Sequence, residues 1–130
     1  MIKNYPEIII SVDTFRSKIA KETIHAGAAI VNDISGGNMD TKMFQTVADL
    51  QVPYILMHMQ GTPQNMQDNP QYNNITQDLI FEFSKKTNEL KKMGLNDILI
   101  DVGFGFGKTI SHNYELLRNL DLFQALECPI

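Results

Sequence analysis

The stretch Ile98-Leu-Ile-Asp-Val-Gly-Phe-Gly-Phe-Gly-Lys108 decides how the rest of the chain is read: an apolar run ends in an acid and then breaks into alternating glycines and phenylalanines. Ile98-Leu99-Ile100 is too short for an independent helix, and glycines at 103, 105 and 107 stop any regular element from continuing. The run is predicted to be a buried strand that delivers Asp101 to a loop. A carboxylate at the carboxyl end of a buried strand is where parallel α/β proteins keep their chemistry.

Upstream, the same pattern recurs. Glu7-Ile-Ile-Ile-Ser-Val-Asp13 is a β-branched run ending in an acid, which suits a strand buried on both faces. Ile19, Ala20, Thr23 and Ile24 follow at helical spacing, with Gly27 as a helix stop. A second strand is expected over residues 28–34, closed by Asn32 and Asp33. A flexible loop at 35–38 then leads to a helix with Met43, Phe44, Val47, Ala48 and Leu50 on one face. Pro53-Tyr-Ile-Leu-Met57 reads as strand three. The polar stretch from His58 to about Asn74 is far longer than the ~2–6 residues usual in such units, so it is either disordered or functional, for example a lid. Leu79, Ile80, Phe83, Leu90 and Met93 carry the next helix, with Lys91, Lys92 and Gly94 at its end. A last helix holds Tyr114, Leu116, Leu117, Leu120 and Phe123, and Glu127-Cys-Pro-Ile130 reads as the approach to another strand.

Four β-α units without a hairpin signal predict one domain over residues 1–130 with a parallel sheet, about half of a (β/α)8 barrel, which needs eight units and ~250 residues. Asp13, Asn32, Met57-His58 and Asp101 would then share one carboxyl-end rim. The composition, 43% hydrophobic and 20% charged with a net charge of −4, is that of an ordinary globular protein. It gives no electrostatic footprint for nucleic acid or anionic membrane. Cys128 is the single cysteine, so no intrachain disulfide is available, and it reads as a small buried apolar residue. No apolar run approaches the ~18 residues of a membrane span and no signal-peptide core is present, so a cytoplasmic protein is expected.

Among phosphate-binding motifs, a P-loop needs glycine at Val102 and a dinucleotide fingerprint needs one at Lys108 or Ile110, so neither is present. The glycines instead permit close approach of backbone to a flat ligand, with Phe104 or Phe106 able to stack on it; a tight turn covering the sheet edge is the structural alternative. Asp13 and Asp101 are paired acids suited to a metal, to proton exchange, or to the N–H edge of a planar heterocycle. Metal is the weakest of these, because His25, His58 and His112 lie in different units, with His25 and His112 as solvated or capping residues. Asn32 between two acids suits a nitrogen-rich ring. Asp13 could equally cap a helix, and Ile34 and Met57 could line ring faces or simply be core.

The strings Ile10-Ser-Val-Asp-Thr14, Ala29-Ile-Val-Asn-Asp-Ile34, Leu56-Met-His-Met-Gln-Gly61 and Ile100-Asp-Val-Gly-Phe-Gly-Phe-Gly-Lys108 closely resemble, in order and spacing, the dihydropteroate synthase family of the folate pathway. The resemblance implies a (β/α)8 barrel that joins a dihydropterin pyrophosphate to p-aminobenzoate, releasing pyrophosphate and forming 7,8-dihydropteroate. It implies that Asp13, Asn32 and Asp101 hold the pterin ring by its nitrogen edge, with Ile34, Met57, Gly105 and Phe106 packed near it. Asp13 would also stabilise positive charge as the methylene–oxygen bond breaks. Mg2+ would accompany the substrate pyrophosphate, without a ligand in this chain.

The sequence departs from the family pattern at Val102, where proline is usual. The family's first two strands, and the last two units with their lysine, Ser-Lys-Arg and Arg-x-His motifs, have no counterpart. The chain thus reads as a central portion that keeps the pterin floor, inactive or nearly so by itself. Two alternatives remain: a methyltetrahydrofolate-dependent methyltransferase of similar barrel fold, and a folding or association module. Exposed strand edges on half a barrel predict a homodimer or other self-association.

Overall fold

The computed structural model describes residues 3–130 and contains four β-α units. In order these are β1 (Ser11–Asp13), α1 (Ser17–His25), β2 (Ile30–Asp33), α2 (Met43–Leu50), β3 (Tyr54–Met57), α3 (Ile75–Lys92), β4 (Ile98–Asp101) and α4 (Ile110–Arg118), followed by a 3-10 helix over Leu120–Leu126. The strands form one parallel sheet in the order β1-β2-β3-β4. Short strands linked by helices have no other economical pairing, because a parallel neighbour requires a crossover and each helix supplies one.

The sheet has two unlike faces. Register aligns Val12, Val31, Tyr54 and Ile98 across the strands, with Asp33, Leu56 and Ile100 in the next row. These side chains point toward the helices, where Ala20, Met43, Val47, Leu79, Phe83 and Leu90 complete a core that is almost wholly dry. Strand alternation puts Asp13, Asn32, Ile55 and Leu99 on the opposite face, with Met57 and Asp101 paired one row nearer the carboxyl rim. That face carries no helix among the described residues, but it is not open throughout: Asp13 is exposed, Asn32, Ile55, Leu99 and Asp101 are half-buried, and Met57 is 3% exposed.

Three expectations are corrected. The first strand is shorter than residues 7–13 and is not buried on both faces: Ile8 and Ile9 are 44% and 75% exposed. Ladder pairing begins only at the Ile10 carbonyl, which receives Ala29 N–H and Ile30 N–H, and β1 is an edge strand with a single neighbour. Secondly, the segment 35–38 is fixed, because the buried Asp33 carboxylate holds it by hydrogen bonds from Ser35 and Gly37. Lastly, the closing helix ends at Arg118. Leu116, Phe123 and Leu126 reach the core, while Tyr114 and Leu117 face outward, 69% and 57% exposed. As expected, Glu127–Ile130 approaches the sheet, with Ile100 N–H donating to the Pro129 carbonyl at 2.7 Å.

Candidate functional site

The carboxyl rim of the open face brings together the residues the sequence singled out. Asp13 lies beside Asn32, and Met57 beside Asp101, as direct partners on adjacent strands, which places their backbones ~4.8 Å apart. Ile34 follows β2 on the same side by alternation. Asp13 does not cap α1. That helix begins at Ser17, with Arg16 as an N-cap that makes no side-chain cap bond, while Ser17 N–H is taken by Asp40 Oδ2 at 2.8 Å; hydrogen bonding from the Ser17 side chain, then from its backbone N–H, holds the Asp40 carboxyl below its ordinary range.

Asn32 carries the sharpest signal at this rim: its side-chain oxygen is buried and lacks a hydrogen-bond partner. A buried amide oxygen left unpaired costs about 1–3 kcal/mol, so such atoms mark places where a ligand or water belongs. Its neighbour in sequence behaves in the opposite way. Asp33, fully buried on the helix side, accepts from Ser35 N–H (2.8 Å), Ser35 Oγ (2.7 Å), Gly37 N–H (2.9 Å) and Tyr54 Oη (2.7 Å). Burial, followed by the nearby Asp33 charge, pushes the Tyr54 phenol well up, so Tyr54 remains a donor.

Asp101 keeps one oxygen on its own loop, accepting Gly103 N–H at 2.8 Å. Glycine is required at 103, where φ is +68° and a Cβ would overlap the His58 carbonyl oxygen. At 107 the Cβ would stand 2.8 Å from the Gln60 carbonyl. These contacts press the Gly-Phe turn against the end of β3. Phe104 is exposed and lines a recess of about 350 Å³ beside β4 with Ile55, Leu99, Asp101, Leu120 and Ile130. Phe106 is half-buried beside the loop carbonyl that Lys108 holds.

The long polar segment is ordered onto this turn. Gln60 and Gln71 exchange two hydrogen bonds of 3.0 Å across its base. Gln67 donates to the Gly105 carbonyl (2.6 Å) and Tyr72 to the Gly107 carbonyl (2.7 Å). Asn74 then caps α3, accepting Gln77 N–H.

Sequence reasoning missed the buried polar chain behind the turn. Lys108, 4% exposed, donates to His58 Nδ1 (3.1 Å), the His58 carbonyl (3.1 Å) and the Phe106 carbonyl (2.9 Å). His58 Nε2 faces Glu82 Oε2 at 3.4 Å, and Glu82 Oε1 binds Lys86 at 2.7 Å. Burial lowers the His58 pKa. Its hydrogen bond to Glu82, reinforced by Lys86, draws that carboxyl down to about 2, and burial brings Lys108 to about 8. A lysine inside a glycine-rich turn was the one available sequence signal. Of the other histidines, His112 sits in the capping box of α4 with Thr109, and His25 ends α1, exposed.

Among the described residues no group of three or more His, Cys, Asp or Glu side chains could hold a metal ion, and no helix is long and apolar enough to cross a membrane.

Comparison with known proteins places the chain in a family. The family described as pterin binding enzyme matches residues 1–130. Dihydropteroate synthase of Haemophilus influenzae is 37% identical over 131 residues, covering 99% of this chain and 47% of that protein. The structure of Yersinia pestis dihydropteroate synthase with a sulfonamide drug superposes with a TM-score of 0.91 at 35% identity, covering 98% of this chain and 47% of that one. The Xanthomonas albilineans enzyme in complex with 7,8-dihydropteroate superposes with a TM-score of 0.83 at 31% identity, covering 94% and 44%. The chain spans less than half the length of these proteins, and its four units are part of their barrel. Motif order, parallel half-barrel and residue match agree: the chain belongs to the pterin-binding enzyme family.

Proposed function

We propose that this chain supplies the pterin-binding floor of a dihydropteroate synthase, which condenses 6-hydroxymethyl-7,8-dihydropterin pyrophosphate with p-aminobenzoate to 7,8-dihydropteroate and pyrophosphate. The observation that carries the reading is the unpaired, buried Asn32 oxygen set between Asp13 and Asp101 on an uncovered sheet face. A pterin presents adjacent ring N–H and amino donors along one edge. A carboxylate facing two such donors forms two charge-assisted hydrogen bonds, and the Asn32 oxygen accepts a further one. Ile34 and Met57 supply apolar contact to the ring, and Gly105 with Phe106 closes it from the loop.

In this reading Asp13 has a second task. As the methylene carbon parts from pyrophosphate it gains positive charge, and a fixed carboxylate nearby stabilises it, before the amine of p-aminobenzoate attacks and gives up its proton to water. Mg2+ travels with the pyrophosphate as part of that substrate. A cytoplasmic setting accords with the lone cysteine, whose thiol burial pushes up.

Self-association belongs to the same proposal. Ile110, Tyr114 and Leu117 form an exposed apolar stripe along α4, adjoining Phe104, and stripes of this kind are normally covered by protein. Sedimentation shows this as a concentration-dependent rise in mass; a monomer at all concentrations removes it.

The test of the site is calorimetric titration with 6-hydroxymethylpterin. Asp101→Asn is expected to weaken binding by on the order of a hundredfold, since it removes a charge-assisted pair worth ~1.5–3 kcal/mol. Unchanged affinity refutes the assignment.

A further inference from the structure

We propose that Lys108 is a positioning residue for the ring site, clamping the turn that carries Gly105 and Phe106 onto the end of the strand that carries Met57. The inference rests on the pterin reading given above and deepens it. An ammonium group has three protons and no lone pair, and Lys108 faces three acceptors: His58 Nδ1, the His58 carbonyl and the Phe106 carbonyl. Each proton therefore has one acceptor. The arrangement also assigns the imidazole. With Nδ1 accepting from a cation, the ring proton lies on Nε2 and points at Glu82, which is held in turn by Lys86.

The clamp acts at a distance from the ring. Two of its acceptors belong to the residue next to Met57 and the third to Phe106, so it ties together the two apolar contacts assigned to the ligand. The turn has little support of its own, since the glycines at 103, 105 and 107 all lie at positive φ, and glycine leaves a turn more freedom to lose than any other residue. Lys108 itself touches no open surface, so it supplies no charge directly to a ligand.

The groups facing the ammonium are His58 from the end of β3, Asp101 from β4 and Glu82 from α3, the last paired with Lys86, with the Tyr72 and His112 rings meeting edge to face beyond the turn. Loss of one proton leaves three acceptors for two donors. One of the three bonds is therefore given up, which weakens the tie between the end of β3 and the turn.

Two readouts on Lys108→Met test this. Histidine nitrogen spectra of the ligand-free protein are expected to show His58 protonated on Nε2 with an Nδ1 signal shifted by the lysine, and Lys108→Met abolishes that shift. An unaltered Nδ1 signal overturns the clamp. Titration with 6-hydroxymethylpterin is expected to show weakening of tenfold to a hundredfold, on the order of what small displacements of a binding group cost. Wild-type affinity, relative to the variant, falls as pH rises through about 8; ring titration of the pterin is common to both proteins and cancels in the ratio. A ratio independent of pH, or equal affinities, overturns the positioning role. If wild type itself fails to bind pterin while the His58 signature is present, the pterin reading fails and the clamp stands.

Discussion

Asn32 and Asp33 are adjacent in the chain and lie on opposite faces of β2, and they show two uses of a polar side chain in one sheet. Asp33 is fully buried and receives four hydrogen bonds; every one closes within the protein, so it organises the β2–α2 turn. Asn32 has an oxygen just as hidden and nothing bonded to it. A buried oxygen of this kind is completed by a ligand or by water, and in the proposed reading it is completed by the pterin. The same contrast separates Lys108, saturated behind the rim, from Asp13 on the uncovered face. Saturation marks scaffold, and an unmet hydrogen-bonding group marks the site.

The contrast is broken most severely at Asp33. Asp33→Ala strands four donors, two of them side-chain hydroxyls, and is expected to cost about 4 kcal/mol or more in denaturant unfolding. Asn32→Leu, one position away, is expected to stay within about 1 kcal/mol of wild type while abolishing pterin binding. Comparable losses at both positions would show that Asn32 is structural too.

The Gly-Phe turn gives a smaller, graded version. Gly103→Ala meets the His58 carbonyl and a positive φ, whereas Gly105→Ala meets only the φ of +82°, with nothing within 4 Å. The left-handed conformation alone costs ~1–2 kcal/mol for a residue with a Cβ, so Gly105→Ala is expected to lose about 1 and Gly103→Ala about 3 kcal/mol. Equal losses would mean that the turn is not pressed on β3.

The smallest effect is in pH. Glu82 titrates near 2 in the fold, below its ordinary 4.5, so its stabilisation is complete above pH 4.5 and is lost as pH falls toward 2. His58, also lowered from 6.5, adds a loss of the same sign beginning below that value, because the unfolded chain takes up the proton first. Thermal melting at decreasing pH is expected to fall in both windows, and Glu82→Gln removes the lower one.

The strand ends were legible in the sequence because each is an apolar run stopped by a polar residue, so Asp13, the pair Asn32-Asp33 and Asp101 stand out on that pattern, while the choice of Asn32 came with the family resemblance. Which of Asn32 and Asp33 faces the site was not legible. Strand alternation needs a register, and Ala28-Ala-Ile-Val before them is apolar on both faces. The His58–Lys108–Glu82 chain was hidden for a different reason: its members are joined only by tertiary packing, and a histidine after a strand or a glutamate on a helix reads as solvated. Tyr114 and Leu117 misled because helical spacing identifies a face without saying what covers it.

The most direct measurement is the Asn32 side-chain amide signal during titration with 6-hydroxymethylpterin, followed beside the backbone amides of Ser35 and Gly37. A shift of the Asn32 amide to a saturating value, with Ser35 and Gly37 unmoved, is the predicted result. An Asn32 signal that stays in place while ligand binds would contradict the assignment of this face as the pterin site.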